Sequence, residues 1–145
     1  MHSNINRYEQ MTCKLQKAGY KLTPQRMTIM QILSKRTDHP NPDSIYKALK
    51  KQLPTTSPAT VYKTLAVLKS INEVLEIQYS NESNRYDGVN PLPHPHIYCI
   101  KCERFSDLEL SANDELLKEI QVHTGYKVHS LNILIGGICP NCQGN

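Results

Sequence analysis

Two cysteine pairs, Cys99-Ile-Lys-Cys102 and Cys139-Pro-Asn-Cys142, constrain this chain more than any other feature. A tight turn brings positions i and i+3 together, so each pair can present two thiolates to one ion. Four thiolates form the soft, closed set that structural zinc favours. Disulfides are the competing reading, but they belong to oxidising compartments. A redox CxxC usually stands alone at a helix start, and here there are two. The spacing therefore predicts a structural zinc on Cys99, Cys102, Cys139 and Cys142, tying residues near position 100 to the C-terminal end. Cys13, the fifth cysteine, is expected to be a small buried apolar residue of a first helix.

The zinc ligands occupy the last third of 145 residues, a length that allows two small domains. Charge divides the same way. From Met1 to Glu82 there are twelve Lys/Arg against six Asp/Glu, and from Ser83 onward five against seven. A basic half ahead of a mildly acidic one points to a polyanion as partner of the first half. The polar stretch Met1–Gln10 lacks the apolar core of a signal peptide, and no apolar run is long enough to span a bilayer. A cytoplasmic protein is expected.

Within the basic half, Thr23-Pro24, Asn41-Pro42 and Ser57-Pro58 each set a capping side chain before a proline suited to the first helical position. Helical periodicity follows each one. It runs from Pro24 to Leu33, from Pro42 to Leu53, and from Pro58 to Ser70 with Val61, Leu65 and Leu68 on one face. An earlier helix, about Tyr8 to Ala18, ends at Gly19. Glu73–Tyr79, a polar turn at Asn81–Asn84 and Arg85–Asp87 then read as a β-hairpin. Short capped helices followed by a hairpin describe a winged helix-turn-helix. Its recognition helix is Pro58–Ser70, with Thr60, Tyr62, Lys63 and Lys69 outward and able to meet DNA phosphates and base edges. A small helical domain with a merely solvated basic face is the alternative.

The second half reads as a small α/β module. Strands are expected at His96–Ile100, Phe105–Leu110 and Lys127–Ile135, and a helix at Asn113–Gln121 with Leu116, Leu117 and Ile120 inward. So small a sheet has open edges, and pairing with a second copy covers them. The fold class is thus α+β: an N-terminal winged helix-turn-helix domain over residues 1–87, a hinge at 88–93, and a C-terminal α/β dimerisation domain with its four-cysteine zinc site at 94–145.

A second constellation is separate from the cysteines. His94-Pro-His96 precedes the first pair, and residues two apart on an extended chain face the same side. Asp107 follows on a strand that can return beside them. His39 lies in the loop Asp38-His-Pro-Asn41, and Asp87 ends the wing. For any one of these the plain reading is a surface side chain.

In order along the chain, Leu22-Thr-Pro-Gln-Arg26, the His39-Pro loop into Asp43-Ser-Ile-Tyr46, and Ser57-Pro-Ala-Thr-Val-Tyr-Lys-Thr-Leu65 resemble the ferric uptake regulator (Fur) family. The resemblance continues through Arg85-Tyr-Asp87 and His94-x-His96-x-x-Cys99-x-x-Cys102 to Cys139-x-x-Cys142. Within the family the chain is most similar to the peroxide-sensing (PerR) branch, because Asp107 stands where iron-uptake regulators usually carry Glu. The resemblance implies a dimeric, metal-dependent repressor of operator DNA, with Arg26 and Ser57 joining Thr60, Tyr62, Lys63 and Lys69 at the DNA. It implies a regulatory site made of His39, Asp87, His94, His96 and Asp107. Three imidazoles and two carboxylates suit Fe²⁺ or Mn²⁺, and leave a sixth octahedral position for peroxide. It further implies that His39 or His94 is oxidised in the iron form. An iron-uptake regulator without peroxide chemistry is the alternative within the family.

The chain departs from the family pattern in three places. Pro93 and Pro95 flank His94 where relatives carry further ligands. His129 lies too far from Cys139 to be assigned a role, with Gly136-Gly137 suggesting a longer hairpin. The segment from Asp87 to His94 is also long, which makes Asp87 the least secure ligand. Catalysis is disfavoured, since a non-haem iron oxygenase places its two-His-one-carboxylate triad in a deep pocket of a larger fold. A zinc-stapled interaction module is the remaining rival, and salt-dependent DNA binding separates it.

Overall fold

Every helix of the first half begins where a short polar side chain meets the first turn. In the structure, a computed structural model describing residues 5–78, 83–108, 113–129 and 131–144, α1 spans Arg7–Lys17, α2 Pro24–Lys35, α3 Pro42–Gln52 and α4 Pro58–Ser70. Thr23 and Asn41 cap α2 and α3 through Arg26 N–H and Ser44 N–H, with proline inside the first turn. Ser57 is the N-cap residue of α4, but its side chain makes no cap hydrogen bond. Asn6 and Glu9 form a reciprocal capping box at the start of α1. Gly19, at φ 91°, follows α1, where the left-handed conformation favours glycine.

The four helices share one apolar core. Met11 and Leu15 from α1, Ile29, Met30 and Leu33 from α2, Ile45 and Leu49 from α3, and Val61, Leu65 and Leu68 from α4 are all buried. The stripe of α1 is Met11 and Leu15, four residues apart on one face. Cys13 falls off that face and is exposed, so the expectation of a buried Cys13 is corrected.

After α4, β1 (Leu75–Ile77) pairs antiparallel with β2 (Arg85–Asp87), Leu75 opposite Asp87. The hairpin is thus present, with Val74 and Tyr86 closing the core from its side. Tyr79 and the first half of the expected turn at Asn81–Asn84 lie outside the described residues. Helices followed by this small sheet give the winged helix-turn-helix.

The chain divides into two compact units, Met1–Leu92 and Pro93–Asn145. In the second, β3 (His96–Cys99) is the central strand, antiparallel to β4 (Phe105–Asp107) and parallel to β5 (Leu134–Gly137). A helix, α5 (Asn113–Thr124), lies in sequence between β4 and β5, and a one-turn helix, α6 (Pro140–Gln143), closes the chain.

Four expectations shift here. The third strand was expected at Lys127–Ile135, yet pairing begins only at Leu134 and includes both glycines. A Cβ at Gly136 would sit 2.8 Å from the hydroxyl of Tyr98, so a larger residue there would need that side chain to move. These glycines are therefore strand residues rather than a longer hairpin. The strand expected over Phe105–Leu110 is paired through Asp107, and Glu109 and Leu110 lie outside the described residues. On α5, Leu117 and Ile120 are partly buried as expected, whereas Leu116 is 39% exposed. Among the described residues no helix is long and apolar enough to cross a membrane.

Candidate functional site

The four cysteines converge by backbone construction. The CxxC turn after β3 closes with Cys99 N–H donating to the Arg104 carbonyl and Glu103 N–H to the Cys99 carbonyl, at 2.9 Å each. Glu103 takes the left-handed conformation there (φ 62°). Parallel pairing carries β5 alongside β3, so that Ile100 N–H donates to the Gly137 carbonyl at 2.8 Å. Cys139 is then the N-cap residue of α6, with Pro140 in the first turn, and Cys142 comes round one turn later.

The sulfurs of Cys99, Cys102, Cys139 and Cys142 all lie within 4.8 Å of one another. Cys102 Sγ and Cys139 Sγ are 3.8 Å apart. A disulfide needs about 2.05 Å, whereas tetrahedral zinc–sulfur bonds of about 2.3 Å separate their sulfurs by roughly 3.8 Å. This spacing suits zinc and is too long for a disulfide.

The electrostatics agree. Backbone N–H groups of Cys102 and Cys139 point at Cys99 Sγ, from 3.5 and 3.3 Å. They hold its thiol down to about 6, against 9.0 ordinarily. Hydrogen bonding with Cys139, burial and the crowding of the other sulfurs push Cys142 up to about 12. Metal binding at such a cluster requires its thiols to be deprotonated, so a bound dication and the thiolates stabilise one another. Four convergent sulfurs of this kind suit a structural zinc.

The His/Asp residues are built separately in each unit. In the first, the loop after α2 is stitched to β2: Tyr86 N–H donates to the Pro40 carbonyl at 3.0 Å, and the Arg85 guanidinium reaches the carbonyls of Asp38 and His39 at 3.4 Å. This brings His39 to Asp87, the residue after Tyr86, with Nε2 3.7 Å from Oδ2. Both are buried, His39 at 1% and Asp87 at 0% exposure, so the surface reading of an isolated His39 is corrected. His39 also holds φ 50°, a left-handed conformation that costs a non-glycine residue about 1–2 kcal/mol. The other Asp87 oxygen, Oδ1, accepts from Val89 N–H and Asn90 N–H at 3.0 Å each.

In the second unit, His96 and Asp107 are directly opposite in the β3–β4 register. Asp107 Oδ1 lies 3.3 Å from His96 Nε2 and 3.0 Å from His94 Nε2. The two imidazole centroids are 4.2 Å apart, as their two-residue spacing on extended chain leads one to expect. His96 is buried and His94 partly so, while Asp107 remains exposed. His129 is exposed and belongs to neither the cysteine nor the His/Asp group. Imidazole and carboxylate donors suit Fe²⁺ or Mn²⁺ better than the thiolate cluster does.

On α4, Tyr62 (59% exposed), Lys63 and Lys69 face outward, and Thr60 is partly exposed beside them. Lys69 Nζ is held 3.0 Å from Glu76 of β1. Ser57 is exposed at the helix start. Arg26 lies over the ring of Tyr20 at 5.7 Å and donates to the Lys21 carbonyl at 2.9 Å.

Comparison with known proteins decides what this arrangement belongs to. The model of the ferric uptake regulator family matches residues 17–135. The peroxide-responsive repressor PerR of Staphylococcus epidermidis is 38% identical over 135 residues, covering 93% of this chain and 89% of that protein. The chain belongs to the ferric uptake regulator family. Among solved structures of that family, the Campylobacter jejuni peroxide stress regulator is 33% identical with a TM-score of 0.69, covering 92% of this chain and 97% of its own. The iron-containing ferric uptake regulator of Francisella tularensis is 29% identical with a TM-score of 0.76, covering 86% and 96%. Membership makes the chain a metal-dependent transcriptional regulator rather than an enzyme.

Proposed function

We propose that the chain is a homodimeric repressor of operator DNA, controlled by a regulatory Fe²⁺ or Mn²⁺ and released when peroxide oxidises a histidine ligand. The observation that carries this reading is the pair of His/Asp clusters, buried His39 with Asp87 in the winged-helix unit and His96 with His94 and Asp107 in the other. Their donors differ in kind from the four thiolates, so staple and switch are separate sites. Relatives at 38% and 36% identity carry the name peroxide-responsive repressor, which supports the peroxide branch.

In this reading all five side chains serve one ion. The ligands then come from both units, and residues 88–93 act as the hinge whose angle metal binding fixes. Iron supplies the redox chemistry that makes peroxide an oxidant of a neighbouring group. His39 or His94 gains one oxygen atom from H₂O₂ while the second oxygen leaves as water, a two-electron oxidation of the imidazole. The oxidised ring is a poorer ligand, and the clamp opens.

At the DNA, Tyr62, Lys63 and Thr60 of α4 enter the major groove, with Ser57 and Arg26 at the phosphates. The uncommitted Ser57 side chain leaves the α4 N-terminus, a favourable place for an anion, to the DNA backbone. Lys69 reaches a phosphate after exchanging Glu76 for it. The exposed apolar side chains Val122 and Tyr126 of the second unit, 80% and 74% exposed, are covered by the second copy. The protein acts in the cytoplasm, with the DNA.

The test is operator binding by the zinc-loaded protein with Mn²⁺, with Fe²⁺, and with Fe²⁺ followed by H₂O₂, together with peptide mass spectrometry. The expected result is binding in the first two conditions, release in the third, and one added oxygen on the His39 or His94 peptide. Retained binding with unmodified histidines returns the chain to the iron-uptake reading.

A further inference from the structure

Among the described residues of the first unit, Glu73, between α4 and β1, is the one buried acidic side chain besides Asp87, and it has no place in the metal or DNA chemistry. It is fully buried, and two cations of α1 reach it: Arg7 Nη1 at 2.6 Å from Oε2 and Lys14 Nζ at 2.8 Å from Oε1. A buried carboxylate tolerates burial only when paired, and an ion pair that merely staples a helix is a poor use of that desolvation. The third nitrogen of Arg7 gives the pair a further purpose. While Nη2 donates to the Glu73 carbonyl at 2.7 Å, Nε donates to the Gly88 carbonyl at 2.7 Å.

Gly88 is the residue after Asp87. Its Cα is pressed against α2, where a Cβ would meet Leu33 Cβ at 2.7 Å and the Leu33 carbonyl oxygen at 3.0 Å. Asp87 Oδ1 is in turn fixed by the N–H groups of Val89 and Asn90 beyond that glycine. The turn that orients the Asp87 carboxylate is thus anchored by α2 on one side and by the Arg7 guanidinium on the other. Arg7 is rigid enough for this because Glu73 holds the other two nitrogens of its planar fork.

We propose that Arg7 is a positioning residue for Asp87: its guanidinium, seated on buried Glu73, grips the Gly88 carbonyl and so aims the Asp87 carboxylate at the regulatory metal. This rests on Asp87 being a ligand of that metal. Groups that orient metal ligands typically change affinity by about 10–100-fold when removed. Acting through one intervening turn, Arg7 belongs at the lower end.

The experiment is a double-mutant cycle on Mn²⁺ affinity in the full-length, zinc-loaded protein, using Arg7→Met, Asp87→Asn and the double variant, with zinc content and thermal stability measured on each. The expected result is about tenfold weaker Mn²⁺ binding for R7M alone, and less than about a twofold further loss in the D87N background. An equal loss in both backgrounds, or none from R7M, overturns the proposal while leaving Asp87 as a ligand. Unchanged affinity in D87N itself overturns the ligand reading, and the positioning role with it. Should R7M not fold, Arg7→Lys keeps the charge on Glu73 but cannot span to Gly88 as well; it is expected to retain stability and still weaken Mn²⁺. Wild-type affinity in R7K overturns the proposal equally.

Discussion

His96 stands directly across an antiparallel strand pair from Asp107, and the same carboxylate oxygen lies within 3.3 Å of both His96 Nε2 and His94 Nε2. One register thus sets three donors of the second unit. The carboxylate charge is what such a cluster offers a dication beyond neutral imidazoles. Asp107→Asn keeps size and shape but removes that charge, and is expected to weaken Mn²⁺ binding at least about tenfold. Zinc content should not change, because no cysteine is touched. A Mn²⁺ titration followed by electron paramagnetic resonance, with zinc measured by mass spectrometry, checks both halves of the expectation; undiminished Mn²⁺ affinity removes Asp107 from the site.

Zinc removal should act on the second unit alone. Its sheet is three short strands, and the cysteine cluster ties the β3 turn to α6. The first unit has its own core of buried side chains from all four helices. Structural zinc contributes roughly 10–16 kcal/mol in small zinc domains, far more than so small a sheet supplies. Cys142→Ser is therefore expected to lose zinc and amide-exchange protection across residues 93–145, while the protection of α2 and α4 persists. Loss of protection throughout the chain would show the two units to be one folding unit.

Much of this architecture was legible because its signals are local. A cap followed by proline marked the starts of α2, α3 and α4, and two CxxC spacings marked the zinc cluster. What escaped depends on contacts distant in sequence. The third strand lies later than its apolar residues suggest, because the paired segment Leu134–Gly137 includes two glycines, a residue type depleted in strands. The residue type of Cys13 favours burial, but the stripe of Met11 and Leu15 excludes it. The burial of His39 depends on hydrogen bonds to β2, more than forty positions away. The Arg7–Glu73 pair spans sixty-six positions and leaves no local pattern. The capping box of Asn6 and Glu9 was there to be read.

The two capping positions that differ in bonding should differ in energy. Asn41 Oδ1 accepts from Ser44 N–H at 2.8 Å, whereas the Ser57 side chain makes no such bond. Asn41→Ala is expected to cost about 1 kcal/mol, and Ser57→Ala no more than about 0.5 kcal/mol, as for an ordinary surface change. Urea denaturation followed by circular dichroism measures both. With Ser57 at the DNA, S57A should weaken operator binding despite its intact stability. Equal destabilisation by the two substitutions would mean that Ser57 caps α4 after all.

Lys63 distinguishes a DNA-reading helix from a solvated one. It is exposed on α4 beside Tyr62, on a helix whose opposite face, Val61, Leu65 and Leu68, is buried. A lysine neutralising one phosphate releases condensed counterions, so its removal should flatten the dependence of log affinity on log salt by about 0.9. Lys63→Ala is therefore expected to weaken operator binding most at low salt and to reduce the slope by close to one. Lys118, exposed on α5 in the second unit, is the control: K118A should leave the slope unchanged. Fluorescence anisotropy with Mn²⁺-loaded protein across a salt series reads both slopes. Parallel lines for K63A and wild type would take Lys63 off the phosphates, and a flat line for wild type would remove the polyanion reading of the basic half.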